Sequence, residues 1–260
     1  MRWAPWLQFS VNGTEIKLKV PRHNARSPME TDYPKRRYTL DWRIFEKYRM
    51  GKDGWRGCSL IARAWDFNGA WFIGSRAEVS MYANIITPSE VNEGLSFFHP
   101  RAFESGIASF MTYLYGNDIS QYKKGVQKWF APMNWQPLLL HPCIAVQFDA
   151  VENAEVAGDR TERYLFFPLS DHHLLKVEFS ISRNNVWIGS NSDPERDTSK
   201  WINNAPMEQL ASDIINTLQI TLSPEAKQQQ EKALAGLADT ALVKEFSPIK
   251  WGNASNEIVK

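Results

Sequence analysis

The sequence predicts an α+β protein in which mostly antiparallel β-sheet is flanked by about four helices. Three observations predict this class: a hairpin signal near the N-terminus, alternation of apolar and polar residues in several short segments, and helical spacing of apolar residues in others. The composition, 43% hydrophobic and 23% charged, is typical of a globular protein. We predict a single domain over 1–240, with a subdivision near 95–137 left open, and a ragged C-terminal tail over 241–260.

The N-terminal hairpin is the strongest local prediction. Asn12 and Gly13 are the residue pair that favours a two-residue type I′ turn, because both central positions of that turn need a positive φ. Such a turn places Phe9 opposite Ile16 on one face of the hairpin. A polar loop that contains three prolines is expected over 21–37.

Alternating apolar and polar residues predict three further strands before residue 87. These strands cover residues 38–44, 57–67 and 70–86. Asn68 and Gly69 again have the composition of a two-residue turn, and this turn would place Trp65 opposite Phe72. The first third of the chain is therefore expected to be mostly antiparallel sheet.

The rest of the chain combines helices with a second group of strands. Apolar residues at helical spacing predict four helices, over 100–115, 119–130, 206–218 and 224–236. Alternation predicts a meander of three strands, over 144–150, 163–167 and 173–181. A polar loop over 183–204 is expected to separate the meander from the third helix.

The charge distribution leaves nucleic-acid binding open as a minor alternative. The net charge of the whole chain is only +1, but residues 1–80 carry 15 Lys and Arg against 8 Asp and Glu. A basic stretch over 35–56 could contact phosphates, which need clustered cations. Solvated strand faces explain the same charges more simply, so nucleic acid is an unlikely partner on this evidence.

The two cysteines, Cys58 and Cys143, support a second alternative, a hydrolase or transferase that uses one of them together with a histidine. We expect both instead to be reduced, unpaired core residues with ordinary reactivity. The chain has no Walker loop, no Gly-x-Ser-x-Gly elbow, no dinucleotide-binding glycine motif and no zincin motif. His141 and Cys143 could share one face, but zinc needs three or four ligands, so neither a metal nor a cofactor is expected.

The chain carries no apolar segment of the kind found in secretory signals, and no apolar run of about 20 residues that could span a bilayer. These features predict a cytoplasmic protein without a membrane partner. The sequence does not indicate an oligomeric state.

Abundant tryptophan without a catalytic motif favours a non-catalytic protein-binding module, such as an adaptor, a chaperone or an immunity-type protein. The chain holds eleven tryptophans, and Trp and Arg are frequent at the energetic centres of interfaces. Three tryptophans fall in predicted loops, and two of them lie in the long 183–204 loop beside basic residues. The candidate binding residues are Trp135, Arg183, Trp187, Arg196, Lys200 and Trp201.

A family resemblance points the same way. The predicted meander, the polar loop and the segment 208–220 (EQLASDIINTLQI), together with the hairpin at 7–20, resemble the Mog1/PsbP-like domains. The resemblance implies an antiparallel sheet flanked by helices. It also implies a protein, of bacterial type in some members, that binds partners rather than catalyses, as the chaperones of type VI secretion effectors do.

Overall fold

The chain folds as an α+β protein with two β-sheets. A computed structural model describes residues 3–24, 36–41, 43, 45, 54–68, 75–118, 126–138, 142–153, 160–183 and 203–251. The strands are β1 (Trp6–Val11), β2 (Thr14–Lys19), β3 (Arg37–Tyr38), β4 (Trp55–Asn68), β5 (Ser75–Pro88), β6 (Trp129–Leu138), β7 (Ala145–Glu152), β8 (Thr161–Pro168), β9 (Leu174–Arg183) and β10 (Gln219–Thr221). The helices in this part of the chain are α1 (Pro100–Tyr115), α2 (Ala205–Ile215) and α3 (Pro224–Leu234).

The smaller sheet has the strand order β10-β2-β1-β3 and contains the predicted hairpin. Phe9 pairs with Ile16, and both residues are buried. Asn12 and Gly13 have φ values of 45° and 84°, as the type I′ turn requires. The hairpin prediction is therefore confirmed, and β10 completes the sheet by pairing with β2.

The larger sheet is antiparallel throughout, with the order β4-β5-β9-β8-β7-β6. Its central strands β7, β8 and β9 are neighbours in sequence and in space, which confirms the predicted meander. Because side chains alternate along each strand, the sheet presents two apolar faces. Both faces are covered by other elements.

Each face of the larger sheet forms a separate hydrophobic core. The first core lies between the two sheets and includes side chains of α2 and α3, such as Met207 and Ala226. The second core lies on the opposite face, where Phe103, Ile107 and Phe110 of α1 pack on the sheet. Helix α1 begins after His99, whose Nδ1 accepts a hydrogen bond from the Arg101 amide at 3.2 Å.

The predicted turn at Asn68-Gly69 is wrong. Asn68 pairs with Ser75, so the connection is longer and Trp65 lies opposite Val79 rather than Phe72. Residues 69–74 lie outside the described part of the chain. Both Trp65 and Val79 are buried in the first core, and this burial outweighs the local preference for a two-residue turn.

The predicted strand over 38–44 is also wrong. Strand β3 ends at Tyr38, and Arg43 and Phe45 are helical. The Asp41 carboxylate accepts a hydrogen bond from the Arg43 amide at 3.1 Å, a local contact that favours a helical turn over an extended chain. Phe45 is buried against the ring of His173, at 5.4 Å between ring centres.

The predicted second helix is wrong where the structure describes it. Apart from the helical residues Arg43 and Phe45, the described residues hold three helices rather than about four. Trp129 and Phe130 belong to β6, where Trp129 is buried and Phe130 is exposed, as alternation along a strand requires. The Asp118 carboxylate accepts a hydrogen bond from Trp129 Nε1 at 2.9 Å. Residues 119–125 lie outside the described ranges.

Part of the predicted C-terminal tail contacts the rest of the protein. Residues 241–251, which we call the strap, pack on α1 and β6 at the side of the second core, and Leu242 is buried there. Sequence patterns did not predict this packing, because the strap has a mixed polar composition and forms neither a helix nor a strand. Residues 252–260 lie outside the described part of the chain.

Candidate functional site

A cleft opens between α1 and the segment that leads from β5 into that helix. Its volume is about 450 Å³. Its lining comes from four separate parts of the chain: Gly54 and Trp55; Pro88, Ser89, Glu90, Val91, Asn92, Leu95 and Phe97; Ala102, Ser105, Gly106 and Ser109; Asp171 and His172. Clefts of this size with apolar walls and a few polar groups are where proteins most often hold ligands or partner side chains.

Trp55 lines the cleft, and its indole is fixed by its neighbours. This residue is 3% exposed and stacks on Phe97, with ring centres 6.2 Å apart and an angle of 12° between the ring planes. Its other side meets Phe110 edge-on at 5.2 Å, and its Nε1 donates a hydrogen bond to Ser109 Oγ at 3.3 Å. The indole is therefore held in place before any ligand arrives.

Two glycines allow the walls to approach each other. A Cβ atom on Gly106 would lie 2.6 Å from the ring of Phe97, so only glycine fits there. Gly54 has φ +107°, a conformation that favours glycine, and a Cβ atom there would lie 2.9 Å from the ring of Tyr113. The shape of the cleft thus depends on these two positions.

The rim of the cleft exposes apolar side chains on an ordered segment. Val91 and Leu95 are 46% and 53% exposed. Asn92 shapes the segment, since its side chain accepts a hydrogen bond from the Gly94 amide and its carbonyl accepts one from the Leu95 amide, both at 3.0 Å. The Phe97 amide then donates to the Asp171 carbonyl at 2.8 Å, which joins the segment to the turn between β8 and β9.

The polar part of the lining carries negative charge. Glu90 and Asp171 are its carboxylates, and among the described residues that line the cleft there is neither Lys nor Arg. The Asp171 amide donates to the side chain of Gln229 on α3 at 3.1 Å, which fixes the turn. The neighbouring His173 shares a hydrogen bond of 2.8 Å with Ser170. The pKa of His173 is lowered to about 4, mainly because the ring is buried and secondly because of the charge of His172. At neutral pH this cleft is suited to an apolar side chain that has a cationic side chain next to it.

A second group of polar side chains lies beneath α1, and its members are buried except for Arg160, which is half-exposed. The hydroxyls of Tyr115 and Tyr164 both bond to the Glu162 carboxylate, and Arg160 pairs with the other oxygen of Glu162 at 2.8 Å. Burial, followed by the neighbouring carboxylates, raises the pKa of both tyrosines well above its ordinary value. No local sequence pattern predicts this group, because Tyr115 lies on α1 and its partners lie on or next to β8.

The predicted binding residues are only partly described. Trp187, Arg196, Lys200 and Trp201 lie outside the described residues. Arg183 is the last residue of β9 and is half-buried, so it belongs to a strand rather than to the predicted loop.

The expectation that Trp135 lies exposed in a loop is wrong. Trp135 belongs to β6, where it is buried against Phe148 and its Nε1 donates to the Val243 carbonyl of the strap at 2.9 Å. The short Asn-Trp-Gln-Pro sequence around it looks like a loop, but pairing with β7 makes it a strand. No sequence signal marked Trp55 as a residue that lines a cleft instead.

The structure also places the residues of the two alternative functions. Cys58 and Cys143 are both buried and neither forms a disulfide; burial raises the pKa of the Cys143 thiol to about 12, so little thiolate is present at neutral pH. Within the basic stretch 35–56, Arg43 is paired with Asp41, and 46–53 lies outside the described ranges.

None of the helices in the described ranges is long and apolar enough to cross a membrane. Among those same residues, no three His, Cys, Asp or Glu side chains are grouped as metal ligands would be. No protein-family model matches the chain, and no curated protein is significantly similar to it.

Proposed function

We propose that this protein is a non-catalytic protein-binding module that receives an apolar side chain of its partner in the cleft. The observation that carries the proposal is the exposure of Val91 and Leu95 on the rim of a cleft lined by Trp55. Exposed apolar side chains around a preformed pocket are typical of sites that another molecule covers. An adaptor, a chaperone and an immunity-type protein would each use such a site.

The chemistry of the lining defines the partner further. An aliphatic or aromatic side chain would exchange water for contact with Val91 and Leu95. Glu90 and Asp171 favour a Lys or Arg next to that apolar residue. The same carboxylates disfavour phosphate groups, so they weigh against nucleic acid at this cleft.

Two sequence observations support the same class of function. The resemblance to Mog1/PsbP-like domains implies partner binding, and β10, at the end of the resembling segment 208–220, pairs with the opening hairpin. We also retain the proposal that Trp187 and Trp201, with Arg183, Arg196 and Lys200, contribute to a partner-binding face, because Trp and Arg are frequent at the centres of interfaces.

Selection of peptides from a random library on the immobilised full-length protein tests the proposal. We expect selected peptides to carry an aliphatic or aromatic residue beside a Lys or Arg. Replacement of Leu95 by Asp should weaken their binding at least tenfold. Because Leu95 is exposed, the thermal midpoint should not change.

The matched control is Glu93→Ala, an exposed position on the same segment that does not line the cleft. This variant should bind the selected peptides as the wild type does. Selected peptides that bind Leu95→Asp as tightly as the wild type would show that the cleft is not the binding site.

A further inference from the structure

The strap occupies a groove between α1 and the edge strand β6. Its partners on the helix are Arg101, Glu104 and Thr112, whereas the cleft uses a different face of α1, with Ser105 and Ser109. At 3.6 residues per turn, the strap partners on α1 centre about 100° around the helix from the residues that line the cleft, so the two sets lie on neighbouring flanks of α1. The groove is therefore a second surface, distinct from the cleft.

The groove binds the strap through backbone groups of Ala241, Val243 and Ile249. The Val243 amide donates to Glu104 Oε1 at 2.6 Å, and the Val243 carbonyl accepts from Trp135 Nε1 at 2.9 Å. The Ile249 amide donates to the Ala131 carbonyl of β6 at 2.8 Å. Recognition of an extended chain through backbone groups at a sheet edge is a general mode of peptide binding.

Apolar side chains complete the contact. Phe246 packs on Trp135, with ring centres 4.9 Å apart, and Trp251 lies 6.0 Å from Tyr115 while its Nε1 donates to Thr112 Oγ1 at 3.1 Å. Both Phe246 and Trp251 are only half-buried. The groove thus fits apolar residues at the strap's spacing, but it does not enclose them.

The connection to α3 allows the strap to leave. Residues 235–240 are mostly exposed, and Gly236 has φ +77° with no atom within 4 Å of a Cβ built on it. The strap has no helix or strand of its own, so its order costs conformational entropy that only these contacts offset. Glu104 would keep both of its hydrogen bonds to Arg101, at 2.9 and 2.7 Å, after the strap departs. Release therefore leaves this buried carboxylate paired.

We propose that this groove is a binding site for an extended segment of a partner protein, and that the strap occupies it as an intramolecular competitor. The partner segment carries two adjacent aliphatic residues, an aromatic residue three positions later, an aliphatic residue three positions after that and a final aromatic residue. An acidic residue before the first aliphatic pair would meet Arg101, as Asp239 of this chain does at 3.6 Å.

A labelled peptide added to the full-length protein tests the proposal. The probe is a fluorescein-labelled synthetic peptide with the sequence of residues 238–251, and fluorescence anisotropy measures its binding. The full-length variant with Phe246→Ala and Trp251→Ala has a weakened strap, so it should bind the probe saturably and at least tenfold tighter than the wild type. A probe that carries the same two alanines should bind this variant at least tenfold more weakly.

The matched control protein carries Lys244→Ala and Lys250→Ala, which change exposed strap positions, and it should bind the probe as the wild type does. Equal affinity of the wild type and the weakened variant for the probe would overturn the proposal. A wild-type dimer in sedimentation that dissociates in the weakened variant would also overturn it, because a second copy would then be the occupant.

Hydrogen exchange of the wild type provides a test that does not depend on a variant. The Val243 and Ile249 amides should exchange at least 100-fold faster than the core amides of α1, since the strap opens without global unfolding. Exchange of these amides only at the rate of α1 would mean that the strap does not release, and it would overturn the proposal.

Discussion

At the scale of single residues, Gly13 determines the turn of the first hairpin. Its φ is +84°, and a Cβ atom there would also lie 3.2 Å from Ser223 Cβ. Replacement by Val should lower the free energy of unfolding by roughly 1–2 kcal/mol, because a β-branched residue would be forced into the left-handed region. Urea denaturation measures this change, and Gly94→Val, at an exposed loop position without positive φ, is the control.

Cys143 should react slowly with thiol reagents in the native protein. Burial raises the pKa of this thiol to about 12, so both access and thiolate are limited at neutral pH. Labelling in urea, where both cysteines are accessible, gives the reference rate. Fast stoichiometric labelling of Cys143 or Cys58 in the native state would instead favour the alternative of a cysteine-dependent enzyme.

His173 should make the stability depend on pH. Its pKa is about 4 in the folded protein against 6.5 as the ordinary value, so the unfolded chain binds a proton that the folded protein does not bind between these values. The contribution of His173 to stability is complete above pH 6.5. It is lost by roughly 1.4 kcal/mol per unit as the pH falls towards 4.

Replacement of His173 by Asn, which retains an acceptor for Ser170, isolates this contribution. The difference in the free energy of unfolding between the wild type and the variant should decrease as the pH falls from 6.5 to 4. Its slope should be that expected for the uptake of one proton on unfolding. Parallel stability curves for the two proteins over that range would contradict the assignment.

At the scale of elements, local patterns predicted most of the fold. The hairpin, the meander and the helices α1, α2 and α3 each have a regular apolar period or a clear cap, and such signals are intrinsic to the segment. Trp129 and Phe130 were misassigned because adjacent apolar residues fit a helix face and an edge strand equally well. Pairing with β7 decides between the two, and that pairing is not visible in a single segment.

The cleft could not be predicted for a related reason. Trp55, Leu95, Gly106 and Asp171 are far apart in sequence, and only the fold brings them together. Each of these residues alone has an ordinary explanation. Tryptophan content indicated an interaction protein but not which indole would line the cleft.

Thr14 should fix helix α3 to the first hairpin. Its hydroxyl is buried and accepts a hydrogen bond from the Ser223 amide at 3.1 Å, and Ser223 caps α3. Replacement of Thr14 by Val leaves the Ser223 amide unpaired and should cost about 1–3 kcal/mol in urea denaturation. Thr14→Ser keeps the hydroxyl and should cost less than Val; the reverse order would exclude this role.

At the scale of the whole molecule, the two hydrophobic cores share one sheet. One face of strands such as β5, β8 and β9 contributes side chains to the first core. The other face contributes side chains to the second core or to the polar group beneath α1. Loss of one core therefore removes the support of the other. We expect the chain to unfold in a single transition.

Phe110→Ala tests this coupling from the second core. The substitution leaves a cavity and should cost about 3–5 kcal/mol. The midpoint of unfolding measured by far-ultraviolet circular dichroism should fall. The hydrogen-exchange protection of the Phe9 amide in the first core should fall with it. Unchanged exchange protection at Phe9 would indicate two independently stable parts.

The edges of the larger sheet have a consequence for solubility. At the β4 edge, the Ala64 and Asp66 amides donate to the side chains of His23 and Asn24, and at the β6 edge the strap covers Ala131. Uncovered strand edges are templates on which other chains add and aggregate. A partner that displaces the strap must therefore cover the β6 edge itself, and a chain with a weakened strap should precipitate at lower concentration than the wild type.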